Sequence, residues 1–451
     1  MRAMDLHALG LLDALLALRE GRITVMDLIE ACSRRIAALE PEIRAFEWFE
    51  PSRAMAEAEE RGGGILGDLP LFGIPVGVKD IINTRGIPTR YGTPIFASHV
   101  PTTSAAAVRR LEALGGIVMG KTVTTEFAFR HPGKTRNPWN TAHTPGGSSS
   151  GSAAAVAAGF VPVAIGTQTL GSVIRPAAFC GVVGYKPTFG AISRTGVHPF
   201  SSTLDTVGVF ARSVDDAAWF AACLMGPDAR DEATLVRGAQ HTLAVPLEPL
   251  AQAPRLAVVK TAKWPLASEI QQANFNEAVA TLKGAGAPIR EVPLPRAFED
   301  AWDVVMTIMA SDAVKSFALV ESRHRVRLSP ALTELLDRGH RVTPEQYAKA
   351  RSKREEYKRW LDGLFDGADA ILTVPAPGEA PEGQANTGNA SFNSLWTQTG
   401  LPAITIPSGR GPRGLPLGLQ IVGRYREDQR ALQVARWCEA TLGVNLGLAG
   451  D

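Results

Sequence analysis

GGSSSGS (146–152), TLGSVIRPAAFCG (169–181) and, upstream, GIPVGVKD (73–80) decide how this chain is read. The segment between the first two, AAAVAAGFVPVAIGTQ (153–168), is rich in Ala and Val and belongs in tightly packed core. A helix from its alanine run and a strand over 161–166 bring Ser148 and Ser172 to one pocket. Lys79 closes a buried-looking segment, Leu71–Val78. The three stretches together supply an attacking hydroxyl, a relay hydroxyl and an amine base.

Each stretch has its own physical logic. The small residues around 167–172 let several backbone N–H groups point at one spot and form an anion-binding concavity. A tetrahedral intermediate needs such a hole, and each donor in it can lower the barrier by roughly 3 kcal/mol. Ser172 stands at the end of that turn; a structural turn with a solvent-facing serine remains an equal reading of this stretch alone. Gly146-Gly147-Ser148 also reads as plain N-capping of the alanine helix. The phosphate-loop pattern is absent, because no lysine follows the glycines. For Lys79, burial without a carboxylate lowers the pKa and frees the neutral amine as a base. Asp80 is adjacent, but on a strand neighbouring side chains point to opposite faces. A salt-bridged lysine is the competing reading.

Working outward, Leu and Ile recur at helical spacing over 6–19 and 24–39, with Thr24 as a cap for the second, and 52–61 reads as a short helix. From about 71 short strands alternate with helices: strands over 71–78, 117–119, 161–165 and 182–185, and a helix over 104–114. Further helices are predicted over 213–225, 267–284, 300–320, 330–338, 344–364 and 427–442. Strands over 255–259, 370–374, 403–406 and 417–422 complete a sheet. Residues 227–254, rich in Pro, Ala and polar residues, read as a connection. This alternation predicts an α/β sandwich.

At 451 residues, with 45% hydrophobic and 20% charged content, the chain has ample core for one large α/β unit. A net charge of +2 supplies no drive toward polyanions, so no nucleic-acid partner is expected. The densest basic run, RHRVR (323–327), reads as a solvated helix end. Cys32, Cys180, Cys223 and Cys438 show no CxxC spacing and read as reduced thiols. Asp5 and Asp13 break the N-terminal apolar run, and 153–166 is too short to cross a bilayer. A cytoplasmic protein without a membrane partner is expected. The eight histidines lack HxxxH or HExxH spacing, so neither a metal nor another cofactor is expected.

Together these residues resemble the amidase signature family of serine amidases. The match runs from Gly73-Ile74-Pro75-Val76 through Asn137-Pro138-Trp139-Asn140, Pro145–Ser152 and Gly171-Ser172-Val173-Ile174-Arg175-Pro176-Ala177 to Lys186-Pro187-Thr188. A weaker match covers Gly400-Leu401-Pro402-Ala403 and 414–420. The resemblance implies a mixed, largely parallel central β-sheet covered by helices on both faces, in a single domain. Within it, 1–65 would be an N-terminal helical segment, 66–225 the catalytic core and 226–451 the substrate-shaping part. It also implies Ser172 as nucleophile, Ser148 as bridging serine after a cis Gly147–Ser148 bond, and Lys79 as the base. The backbone N–H groups of Thr169, Leu170, Gly171 and Ser172 would form the oxyanion hole, and a homodimer is the family-level expectation. Two positions depart from the pattern: Gln168 stands where the family has Asp, and Leu170 where it has the first Gly of a pair. Leu170 would crowd the hole, and Gln168 would alter the electrostatics at Lys79.

Glu126 and Phe127, in TTEFAF (124–129), match a family stretch lining the acyl pocket, although Phe127 fits core packing equally. Trp396 is either a pocket wall or packing between the halves. Arg175 is expected to be a structural ion-pair partner. The favoured function is an amidase acting on a small carboxamide or anilide through an acyl-enzyme on Ser172. The alternatives are the glutamine-hydrolysing subunit of a tRNA-dependent amidotransferase and a non-catalytic binding protein. The middle stretch VVMTIMASDAVKSF (304–317), with no Arg or Tyr for an α-amino acid, argues for the first.

Overall fold

Strands whose every residue is buried sit at the centre of this molecule, and they come from the stretches that carry the chemistry. The computed structural model describes residues 5–62, 68–235 and 242–450. Within them lie β1 (Phe46–Phe49), β2 (Pro75–Lys79), β3 (Ile117–Thr122), β4 (Val163–Gln168), β5 (Val183–Lys186), β6 (Thr206–Ala211), β7 (Leu256–Val258), β8 (Ile289–Glu291), β9 (Ala370–Thr373), β10 (Ala403–Arg410) and β11 (Pro416–Val422). They form one mixed sheet in the order β1-β3-β2-β4-β6-β5-β10-β11-β9-β7-β8, flanked by helices. Parallel pairing joins β3, β2 and β4 at one side and β9, β7 and β8 at the other; antiparallel pairs link the two blocks.

This topology places the site. Because β2 and β4 run parallel, their carboxyl ends leave the sheet at one edge, where ligands bind in sheets of this kind. Lys79 ends β2, and the turn 169–172 follows β4. The helix Ser150–Ala157 is buried along its whole length, as its Ala-rich sequence requires, and it packs on β4 and on the helix Ile174–Cys180.

Capping chemistry is visible in the sequence and holds. Thr24 accepts from Asp27 N while the Asp27 carboxylate takes the Thr24 amide, a complete capping box. Thr343 and Gln346 repeat it at Pro344–Leu364.

Several boundaries differ from expectation. Residues 71–73 form a turn instead of opening β2, because the amides of Leu71 and Gly73 bond to the Leu114 and Gly115 carbonyls. The apolar segment 6–19 is split at Gly10 into a 3-10 turn, Leu6–Ala8, and a helix, Leu11–Arg19. Strands β1, β6 and β8 were not expected; β1 and β8 are short edge strands whose pairing comes from distant sequence. In the connection 227–254, residues 236–241 lie outside those described, and the rest holds only the 3-10 turn Glu232–Thr234. No helix among the described residues is long and apolar enough to cross a membrane.

Candidate active site

The Lys79 side chain is fully buried at the end of β2. Its Nζ donates to Ser148 Oγ at 2.7 Å and to Thr167 Oγ1 at 2.8 Å, with the Thr167 carbonyl at 3.5 Å. Desolvation drives its pKa well below the ordinary lysine value, against the opposing charge of Asp205. The pleat disposes of Asp80 as a partner. Asp80 points the other way, 3.3 Å from Lys121 Nζ, and accepts the Arg90 amide at 2.9 Å.

Ser148 sits on a backbone set by its neighbours. The Gly147–Ser148 peptide is cis, as the resemblance implies. Gly146 has φ +84°, and a Cβ there would lie 2.9 Å from Pro176 Cα, so only glycine fits. The Gly147 carbonyl accepts Arg175 Nη2 at 2.6 Å, and the Ser148 carbonyl accepts the Thr125 amide at 3.3 Å. The neighbouring serines tie the helix sideways to the sheet instead of capping it. Ser149 Oγ donates to the Thr167 carbonyl, Ser150 Oγ to that of Val123 and Ser152 Oγ to that of Ile165.

In the turn after β4, the amides of Thr169, Leu170, Gly171 and Ser172 have no acceptor among the described residues. Thr169 Oγ1 donates to Asp205 Oδ1 at 2.6 Å, and Asp205 Oδ2 takes the Phe200 and Ser201 amides, which anchors the turn. Gln168 Oε1 accepts the amides of Val173 (2.9 Å) and Ile174 (3.1 Å), and Nε2 donates to Thr397 Oγ1. Its role is thus to seat the start of the helix Ile174–Cys180, a task an uncharged oxygen performs. Replacing Gln168 by Ala strands both amides and is expected to cost about 1–3 kcal/mol of stability, measured by denaturant unfolding. An unchanged unfolding midpoint sinks that assignment.

Ser148, Thr169, Leu170 and Ser172 line one cavity of about 780 Å³, whose walls include Thr125, Phe129, Phe200, Trp302 and Met309. Arg175 lines it too, but as a hydrogen-bond donor to carbonyls rather than the expected ion-pair partner, with Nη1 on Gly388 O at 2.7 Å. Burial lowers its pKa to about 9, and the nearby charge of Arg130 adds to the effect.

Three pocket expectations are corrected. Both Glu126 oxygens accept the Ser329 amide at 3.2 Å, so this side chain serves the N-terminus of the helix Pro330–His340. Phe127 is buried against Phe96, His198 and Phe317, with ring centroids 5.1–6.0 Å away. Its neighbours Ala128 and Phe129 reach the cavity instead. Trp396 is fully buried packing and lies off the cavity lining. Cys180 is buried, donates to the Pro145 carbonyl, and has its thiol pKa pushed up by desolvation, so it cannot serve as a nucleophile. Sequence reading missed Thr167 and Asp205. The period-2 alternation of β4 could have found Thr167; nothing local marks Asp205.

A family model, Amidase, matches residues 27–432. The chain belongs to the amidase family. It is an enzyme of the amidase class, a hydrolase of carbon–nitrogen bonds. Among its amidase relatives is a glutamyl-tRNA(Gln) amidotransferase subunit from Synechococcus sp. (strain CC9605), 34% identical over 95% of each chain. The native peptide amidase of Stenotrophomonas maltophilia superposes with TM-score 0.84 at 29% identity, over 98% of this chain and 99% of that one. The corresponding glutamyl-tRNA(Gln) amidotransferase subunit from Thermotoga maritima gives 0.83 at 28% identity, over the full length of both.

These relatives overturn one expectation. The balanced charge of this amidase predicts no nucleic-acid partner, and the family resemblance a homodimer, whereas relatives matching nearly its whole length are glutamyl-tRNA(Gln) amidotransferase subunits. Net charge is a sum over the whole surface and does not read the setting in which a subunit works.

Proposed function

We propose that this amidase hydrolyses a small carboxamide or anilide through an acyl-enzyme on Ser172. Neutral Lys79 directs two N–H bonds to Thr167 and its lone pair to the Ser148 hydroxyl, which then donates across the 2.7 Å contact. It takes the Ser148 proton while Ser148 takes that of Ser172, whose oxygen bonds to the amide carbon. The amides of Thr169–Ser172 face the developing oxyanion. The relay runs backward to protonate the leaving amine, the C–N bond breaks, and water cleaves the acyl-enzyme by the same route. The observation that carries this reading is the 2.7 Å contact with Ser148 of a buried Lys79 that makes no ion pair among the described residues, beside a cavity that Ser148 and Ser172 share.

Two observations divide the choice of substrate. No Asp or Glu of the described residues lines the cavity, so the ammonium of an α-amino acid has no counter-charge there. This supports an acyl group without an amine. The 34% identical relatives support the second reading, a glutamine-hydrolysing amidotransferase subunit. Ammonia release from glutamine by the isolated chain, set beside a panel of carboxamides and anilides with intact-mass detection of acylated Ser172, separates the two. Turnover of glutamine above every panel member decides for the second reading; no acylation by any compound rejects both.

A further inference from the structure

The cavity carries charge that the hydrolytic step does not use. Arg130 and Lys263 both line it, and neither has an ion-pair partner among the described residues. Each is held by an aromatic ring of the same cavity. The Arg130 guanidinium carbon lies 5.6 Å from the Phe129 ring centroid, and Lys263 Nζ lies 5.9 Å from that of Trp302. Arg175 is a third cation in the wall, and its buried Nε has no hydrogen-bond partner among the described residues. Arg130 is close enough for its charge to act on Arg175.

Surface cations are ordinarily interspersed with carboxylates. Here three line a partly apolar concavity, and no described acidic residue lines it. Low-dielectric walls focus such a field, which attracts an anion and repels an ammonium. Arg175 has its terminal nitrogens committed to the Gly147 and Gly388 carbonyls and keeps only its buried Nε, so the two ring-tethered cations present the charged groups that can meet a ligand. The acyl half of the substrate stays in the cavity through both half-reactions, so a charge on that half is held throughout.

Resting on the hydrolase reading above, we propose that Arg130 and Lys263 select amides that carry a carboxylate on the acyl side, a few carbons from the scissile carbonyl. Three primary amides of nearly equal length test this: pentanamide, glutaramate and L-glutamine. They present the same carboxamide on a neutral chain, with a carboxylate, and with a carboxylate plus an ammonium. The expected result is a kcat/KM for glutaramate roughly tenfold or more above pentanamide, a preference two partly exposed cations can supply. In the double variant Arg130→Ala/Lys263→Ala that ratio collapses toward one, with the change in KM, and added salt raises KM for glutaramate. Arg130→Gln/Lys263→Met repeats the test with side-chain bulk retained.

A ratio near one in the unaltered enzyme, or a ratio that survives both double variants, overturns the inference. So does a preference for glutamine over glutaramate. The matched esters p-nitrophenyl pentanoate and mono-p-nitrophenyl glutarate separate the two levels of the claim. Acylation of Ser172 by both at equal rates leaves the hydrolase reading standing and removes the selectivity. Failure of every amide and ester to acylate Ser172 removes both.

Discussion

Replacing Ser172 by alanine is expected to lower kcat on any amide substrate by on the order of 10⁵, with the acyl adduct lost from the intact mass. The size follows from what the residue supplies. In the proposed mechanism no covalent intermediate forms without Oγ, and the only route left is direct attack by water on a carbonyl held among the amides of Thr169–Ser172. Those donors and the bound geometry still stabilise an oxyanion, so a residue of catalysis above the uncatalysed rate remains. Folding is expected to be intact, because Ser172 sits on the cavity wall and alanine keeps its Cβ. Unfolding by denaturant, run beside the kinetics, checks this. A variant that folds normally and still turns over substrate within tenfold of the unaltered enzyme rejects Ser172 as nucleophile.

Lys79→Met carries the second largest effect, a fall of several orders of magnitude in kcat/KM with the fold retained. General base catalysis by a positioned group is worth roughly 10²–10⁴, and in the proposed relay the base also sets the protonation of the Ser148 hydroxyl. The pH dependence is the sharper test. Because desolvation holds the Lys79 pKa well below the ordinary lysine value, activity rises with pH as the amine loses its proton, through a midpoint below that ordinary value. In Lys79→Met that rising limb is absent. Stability changes in the same direction. Between the depressed folded value and the unfolded lysine pKa, the unfolded chain binds a proton that the folded chain excludes. The stability of the unaltered enzyme therefore rises with pH between the depressed folded value and the unfolded one. Lys79→Met removes this slope. If the pH–activity limb persists in the variant, another group is the base.

The environments of Lys79 and Asp80 explain why sequence reading could go so far here. Adjacent residues on a strand face opposite ways, so the carboxylate beside the candidate base could be discounted before any coordinates. The structure pairs that carboxylate with Lys121. Gln168 shows the opposite case. Its departure from the family pattern reads, from sequence, as a lost charge near Lys79. In the fold its oxygen holds two helix-start amides, a role that depends on where the chain returns after Ser172.

By itself the sequence determined the alternation of buried strands and helices and the cap at Thr24, and it marked Lys79, Ser148 and Ser172 as the candidates for the chemistry. These are local matters of backbone freedom, periodicity and short-range hydrogen bonding. The tertiary structure alone decided that Glu126 serves a distant helix, that Phe127 and Trp396 pack away from the cavity, that Asp205 anchors the turn 169–172, and that Arg130 and Lys263 share a cavity with Ser172. Each depends on segments far apart in the chain meeting across one sheet, and no spacing within a single stretch encodes which residues will meet.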